Sequence, residues 1–174
     1  MTNDIFLSPH FKLSEFVVSE TASRHGIDNT PPEEAVENLR RLCQGTLEPL
    51  REALQLPVVI TSGFRTKALN DRLAHSSERS QHMEGCAADF YVSSAGSIVQ
   101  GSKVQGRREL LIKAFRLIIT SPEIDYDQLI LYPNFIHVSY VSKERNRHNI
   151  LKARSNGKLG YGKLSYANAI LLNY

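Results

Sequence analysis

The chain has 174 residues and a mass of 19.6 kDa, which suffices for one domain with a hydrophobic core. Hydrophobic residues make up 41% and charged residues 22%, a composition that excludes disorder as the main state. The net charge of +3 is small for a dedicated nucleic-acid-binding protein, which usually concentrates a large positive charge. Two cysteines are too few for a disulfide scaffold.

The N-terminal third of the sequence favours helices. Leu13 to His25 has the pattern of short helical pieces, for which Ser14 is the predicted N-cap. A longer helix is predicted with Thr30 as its cap, because two prolines and a glutamate that can complete a capping box follow. Apolar residues then recur at helical spacing as far as Leu54, and Gly45 should bend or break this helix.

The rest of the sequence alternates short strands with helices. A short helix is predicted over 67–73 and an amphipathic one over 107–119, and strands are predicted over 58–60, 87–91, 128–131 and 135–140. The Ser- and Gly-rich segment 93–106 predicts a mobile loop, and 148–164 predicts a polar hairpin that turns at Asn156-Gly157. Helices followed by strands mixed with one helix predict an α+β fold, with a small antiparallel sheet flanked by helices.

Three residues that are far apart in the sequence have the chemistry of a metal site. His82 lies in a loop, and seven positions later Asp89 lies in an apolar strand, where an unpaired carboxylate would be very costly. His137 lies on a strand between two apolar residues that face the core, so its own side chain can face a cleft. Two His and one carboxylate form a common catalytic zinc set. A buried His–Asp hydrogen bond is the alternative for any one residue, but the three together favour a metal.

The chain contains the two segments Ser80-x-His82-x-x-Gly85-x-Ala87-x-Asp89 and Ile136-His137-Val138-Ser139. Together they resemble the signature of the zinc D-Ala-D-Ala carboxypeptidase family of cell-wall peptidases. Further matching pieces are Phe11-Lys12-Leu13-Ser14-Glu15-Phe16, Thr61-Ser62-Gly63-Phe64-Arg65-Thr66 with Leu69-Asn70, and Tyr126-Asp127-Gln128-Leu129-Ile130. The family includes phage endolysins and shares its fold with the hedgehog signalling domain. The resemblance covers the chain from Phe11 to about Tyr140.

The resemblance implies a hedgehog/DD-peptidase-like fold and a Zn²⁺ cofactor bound by His82, Asp89 and His137. It implies hydrolysis of peptide bonds in peptidoglycan stem peptides. It also implies that Arg65 faces a substrate carboxylate or carbonyl oxygen, a role that suits a planar guanidinium. A structural Arg that satisfies loop carbonyls is an equal alternative. Ser80 is expected to donate a hydrogen bond near the substrate or the ligands, or only to cap its loop.

The general base is not evident in the sequence. Family members usually carry a Glu shortly before the third ligand, but no Glu lies between Asp127 and His137. Asp127 is the nearest carboxylate and the candidate catalytic residue, although the family pattern suggests that it is structural. Glu84 can swing toward the metal, and Tyr132 is a poor base at neutral pH. Two functions therefore stay open: an active carboxypeptidase or endopeptidase, or a zinc-containing module that binds cell-wall peptides without turnover.

We expect a monomeric single domain over 1–174, with a core over 11–141 and a basic C-terminal hairpin over 142–174. The basic residues of this hairpin are Lys143, Arg145, Arg147, Lys152, Arg154, Lys158 and Lys163. A solvated face is favoured over nucleic-acid binding for them, and attraction to anionic cell-wall polymers is a further option. The sequence shows no signal peptide and no run of roughly 20 apolar residues, so we expect a chain that is cytoplasmic as synthesised and has no membrane partner. The resemblance to phage lysins suggests a phage-encoded protein that is released to the cell wall.

Overall fold

A computed structural model describes residues 4–74, 76–94, 103–153 and 161–172 of the chain. Within these residues the strands are β1 Phe6–Ser8, β2 Phe11–Lys12, β3 Val58–Ser62, β4 Ala87–Val92, β5 Gln128–Leu131, β6 Ile136–Ser139, β7 Asn149–Ala153 and β8 Tyr161–Lys163. The α-helices are α1 Leu13–Val17, α2 Glu20–His25, α3 Glu33–Leu42, α4 Glu48–Leu54, α5 Lys67–Asn70, α6 Lys103–Thr120 and α7 Tyr166–Ile170. A π-helical turn spans Cys43–Leu47, and a 3-10 turn spans Gln81–Glu84.

Six of the strands form one sheet in the order β3-β4-β6-β5-β7-β8, and β1 pairs with β2 separately. Neighbours in the large sheet are antiparallel except β5 and β7, which run parallel. The predicted α+β fold with a small antiparallel sheet and helices is confirmed, with this one parallel pair added. None of the described helices, including the longest, α6, combines the length and the apolar character needed to cross a bilayer.

The core lies between one face of the sheet and the helices α3, α4 and α6. Alternate residues of the central strands face it: Ala88, Phe90 and Val92 of β4, Leu129 and Leu131 of β5, and Ile136 and Val138 of β6. Because side chains alternate along a strand, the residues between these face the other side of the sheet. Those residues include two of the predicted metal ligands, Asp89 and His137.

The caps of two N-terminal helices differ from the prediction. The N-cap of α1 is Lys12, and Ser14 lies in the first turn, where its hydroxyl donates to the Asp4 carboxylate. Thr30 does not cap α3, whose N-cap is Pro32, and its backbone N–H and hydroxyl donate instead to Asp28, at 2.9 and 2.6 Å. In both cases a nearby aspartate binds the predicted capping residue first.

The predicted interruption of the long helix at Gly45 is confirmed. The π-helical turn joins α3 to α4 at this point, and a Cβ on Gly45 would lie 2.7 Å from the Tyr140 ring. The absence of a side chain therefore lets the helix pack closely against the end of β6. Cys43, in the same turn, is buried and free.

Several predicted boundaries are corrected. The buried strand predicted over 58–60 continues to Ser62, and only Val58 in it is fully buried, because β3 is the edge strand of the sheet. The helix predicted over 67–73 ends at Asn70, and α6 begins at Lys103, inside the segment predicted as a loop.

At the C-terminus β7 and β8 form the predicted antiparallel pair. The predicted turn at Asn156-Gly157 and the middle of the predicted loop, 95–102, lie outside the described residues.

Candidate metal centre

Asp89 and His137 come from adjacent strands and point to the same side of the sheet. β4 and β6 are antiparallel, and their register places Asp89 directly opposite His137. Their neighbours Phe90 and Ile136 are fully buried in the core, which directs the two polar side chains to the opposite face. As a result His137 Nδ1 lies 2.8 Å from Asp89 Oδ1.

His82 reaches the same point from the 3-10 turn that precedes β4. The turn ends at Gly85, which has a φ of 72° and where a Cβ would lie 2.3 Å from the carbonyl oxygen of Ala35 in α3. Glycine alone tolerates both conditions, so it lets the chain turn tightly against α3. His82 Nδ1 lies 2.7 Å from the Gly63 carbonyl oxygen and donates to it, which leaves Nε2 without a proton and available as a ligand.

The three donor atoms form a small triangle. His82 Nε2 lies 3.2 Å from His137 Nδ1 and 3.4 Å from Asp89 Oδ1, and the third side is 2.8 Å. Ligand atoms around a tetrahedral zinc ion, with bonds of about 2.0–2.1 Å, lie about 3.3 Å apart. In the described ranges this is the one group of His, Cys, Asp or Glu side chains close enough to hold a metal ion. The donor set therefore fits a tetrahedral ion with one position left open.

The protonation states of the site also suit a divalent cation. Burial raises the pKa of Asp89, but His82 and His137 outweigh burial and hold this pKa well below its usual range. Burial lowers the pKa of His82, and the Asp89 carboxylate offsets only part of this effect. At neutral pH the site thus presents a carboxylate and an uncharged His82 imidazole, the forms in which these groups bind metals.

Arg65 binds the second oxygen of Asp89. Its guanidinium donates from Nη2 to Asp89 Oδ2 and from Nε to the Ser62 hydroxyl, each over 3.1 Å. Burial lowers the pKa of Arg65, whose side chain is 13% exposed, while the Asp89 carboxylate acts in the opposite direction. Oδ1 of Asp89 consequently faces the imidazoles, and Oδ2 is held by Arg65. The described side-chain bonds of Arg65 therefore go to a carboxylate and a hydroxyl, and not to loop carbonyls.

Asp127 is surrounded by hydrogen-bond donors. It is 1% exposed and accepts from Arg147 Nε at 2.8 Å, from the Arg147 backbone at 2.9 Å and from Gln81 Nε2 at 2.9 Å. The Ser139 hydroxyl donates to it over 3.4 Å. Burial raises the pKa of Asp127, but the bonds from Arg147 and Gln81 outweigh burial and lower it to about 2. Such a carboxylate is a weak base at neutral pH, so these contacts favour a structural role.

The three ligand candidates lie in an open cleft of about 1310 Å³. Ser80, Glu84 and Tyr132 also line this cleft. The side chain of Ser80 makes no capping hydrogen bond to the 3-10 turn that follows it. The alternative prediction that Ser80 only caps its loop is therefore wrong. Tyr132 stacks on Phe135, with ring centroids 4.2 Å apart, at the turn between β5 and β6.

Two residues of the site were missed by sequence reasoning. The signature leaves Gln81 as a spacer, and the basic pattern favours a solvated face for Arg147, yet both bind Asp127. The available signal was Asp127 itself, since a carboxylate at the start of an apolar strand needs a partner. Seven basic residues follow it in the C-terminal segment, and their spacing does not select one of them.

Comparison with known proteins agrees with the site. The model of the family described as Peptidase M15 matches residues 9–119, more than half of the chain. The matched residues include Arg65, His82 and Asp89, and the fold brings His137 to them from beyond the match. No curated protein matches the sequence.

Proposed function

Because the chain belongs to the peptidase M15 family, we propose that it is a zinc-dependent peptidase that hydrolyses peptide bonds in peptidoglycan stem peptides. Family membership supports a metal-binding peptidase, and the choice of zinc and of a cell-wall substrate is our proposal. The observation that carries it is the convergence of His82, Asp89 and His137 in one open cleft. We propose these three side chains as the metal ligands.

A zinc ion in such a set polarises the scissile carbonyl and lowers the pKa of a bound water. The protein's own groups prepare the ligands for it. The Gly63 carbonyl fixes the orientation of the His82 ring, and Arg65 holds one oxygen of Asp89. Such outer contacts fix ligand orientation in metal sites.

Arg65 is also proposed to orient the substrate. It lines the cleft, and Ser62 and Asp89 engage its Nε and Nη2. A guanidinium has five N–H donors, so the remaining ones can bind a substrate carboxylate or carbonyl oxygen. A lysine at this position would not supply this geometry, because it lacks the planar fork.

The proton acceptor for the attacking water is proposed to be Glu84. The described carboxylates that line the cleft are Glu84, Asp89 and Asp127. Asp89 is a proposed ligand, and Asp127 is bound by Arg147. Glu84 is exposed and makes no side-chain hydrogen bond or ion pair within the described part of the chain. Glu84→Gln should therefore lower turnover while metal content stays unchanged.

Metal analysis paired with a peptidoglycan digest tests the proposal. The purified protein should bind about one zinc ion per chain, and His82→Ala should lose it. His25→Ala is the matched control, because His25 is exposed and does not line the cleft. Mass spectrometry of digested peptidoglycan should show cleaved stem peptides for the wild type and intact ones for His82→Ala. A chain without zinc affinity, or His25→Ala losing the metal equally, would contradict the assigned site.

A second candidate function is a module that binds cell-wall peptides without cleaving them. The observation that favours it is that Asp127, the candidate catalytic carboxylate of the sequence, is held by Arg147 and is a weak base at neutral pH. Calorimetric titration of the zinc-loaded protein with a stem peptide separates the two functions. Heat of binding without any cleaved product supports the binding module and counts against the peptidase.

A further inference from the structure

The cleft contains arginines that are not paired with any of its carboxylates in the described ranges. Four arginines line it, and they are Arg65, Arg79, Arg145 and Arg147. Arg65 pairs with Asp89, and Arg147 pairs with Asp127. Arg79 and Arg145 are exposed and form no ion pair with any residue in the described ranges. Two guanidinium groups at the cleft are therefore available to a ligand.

The segment that carries Arg145 and Arg147 is held in place by hydrogen bonds. Asp127 accepts from the backbone and side chain of Arg147, and this carboxylate is almost fully buried. The Asn146 amide donates to Asp125 over 2.9 Å, and its oxygen accepts from the Val141 backbone at 2.9 Å. The backbone of this turn is thus fixed beside the cleft, which lowers the entropy lost when its side chains bind a ligand.

We propose that Arg79, Arg145 and the exposed part of Arg147 form a carboxylate-binding rim, and that the substrate is a peptide with a free carboxylate outside the bond that is cut. This rests on the proposed function, because the rim acts on a peptide held in the same cleft. Arginine suits the role, since its planar fork binds both oxygens of a carboxylate. A divalent cation on Asp89 adds to the positive charge of the cleft and disfavours neutral or cationic peptides.

The arrangement of the basic residues favours a peptide over a nucleic acid. Binding to a polyanion would involve the whole basic turn, including Lys143, which is exposed but does not line the cleft. The rim instead combines Arg145 with Arg79, which lies 66 positions earlier in the sequence than Arg145 and borders the same cleft. Substitution of Lys143 therefore distinguishes recognition by the rim from general attraction between charges.

Calorimetry with two matched peptides tests the rim. One is a synthetic stem pentapeptide whose glutamate α-carboxylate is free, and the other has that carboxylate amidated. Amidation should weaken binding to the zinc-loaded wild type about fivefold, the range expected for exposed ion pairs. The Arg79→Gln/Arg145→Gln double variant should lose most of this discrimination, because only Arg147 of the rim remains, and its exposed positions allow it to fold. Lys143→Gln should discriminate between the peptides as the wild type does.

The possible results are distinguishable. Equal affinity of the wild type for both peptides would overturn the rim, and cleavage of both at the same rate would then still support the peptidase. Tighter binding of the free carboxylate without cleavage would support the rim and count against the peptidase. If Lys143→Gln loses discrimination as fully as the Arg79→Gln/Arg145→Gln double variant, the effect is general charge attraction and the rim is refuted.

Discussion

Replacing Asp127 with Asn removes a buried negative charge and keeps the size of the side chain. Arg147 donates to Asp127 from both backbone and side chain, and Gln81 donates from its amide. An Asn side chain has one acceptor oxygen and carries two N–H donors of its own. At least one of the donors around position 127 therefore loses its acceptor.

The size of the effect follows from the ionisation of Asp127. Its pKa is lowered from 3.8 to about 2, a difference that corresponds to about 2 kcal/mol of stability. The Arg147 side chain is 55% exposed, so water screens the pair and the figure is an upper value. At neutral pH we expect Asp127→Asn to lower the free energy of unfolding by up to about 2 kcal/mol, and the Tm by roughly 4–8 °C.

The loss should depend on pH in one direction. Since the folded pKa of Asp127 lies below its unfolded value, its stabilisation is present above about pH 4 and is lost as the pH falls toward about pH 2. Urea denaturation of the metal-free wild type and variant should show their difference narrowing over this range. Asp71→Asn is the matched control, because Asp71 is 52% exposed and pairs with Lys67 on the surface. It should change stability by less than about 0.5 kcal/mol.

The same variant decides between the two roles predicted for Asp127. A structural carboxylate predicts lower stability, and a catalytic base predicts normal stability with lost turnover. Asp127→Asn that unfolds like the wild type at every pH, while peptide cleavage stops, would refute the structural assignment.

Three further predictions concern glycines and thiols. Gly85→Ala should lower the free energy of unfolding by at least about 2 kcal/mol in urea, because its φ is positive and its Cβ would meet the Ala35 carbonyl; unchanged stability would contradict this packing. Gly106→Ala should instead raise it by up to about 1 kcal/mol, since nothing lies within 4 Å of the new Cβ in α6, and a loss would show a missed contact. Burial raises the pKa of Cys86 to about 11 and that of Cys43 further, so both should react with a thiol reagent far more slowly in the native than in the urea-unfolded protein; equal rates would refute their burial.

Sequence patterns predicted the parts of the site that depend on local structure. The β5–β6 hairpin has a turn signal at Pro133-Asn134, and the alternation in β6 directs His137 away from the core. The contact between His137 and Asp89 spans 48 positions, and no local pattern determines it. It was predicted only because three residues of metal-ligating types, together with the family resemblance, limited the possible partners.

Other features depend on neighbours that a single strand or helix does not reveal. The apolar run that begins at Val58 predicts a buried strand, but the order of the described strands places it at the edge, where none of them pairs with one side of its backbone. Thr30 is a residue type that caps helices, but its N–H and hydroxyl donate to Asp28, and the N-cap position of α3 falls at Pro32. The pairing of Arg147 with Asp127 joins residues 20 positions apart, and several other cations were equally available to that carboxylate.

The family match ends at residue 119, but the cleft does not. His137 completes the proposed ligand set from β6, and Asp127 at the entrance to β5 binds Arg147 just before β7. The parallel pairing of β5 with β7 supports this contact, because it aligns Gln128 with Asn149. Gln128 directly follows Asp127, and Asn149 lies two positions after Arg147. Residues 9–119 alone contain two of the three proposed ligands, and two side chains would leave a tetrahedral ion too few protein donors. The strands beyond the match are therefore part of the proposed metal centre, and the basic turn between them carries the arginines of the proposed rim.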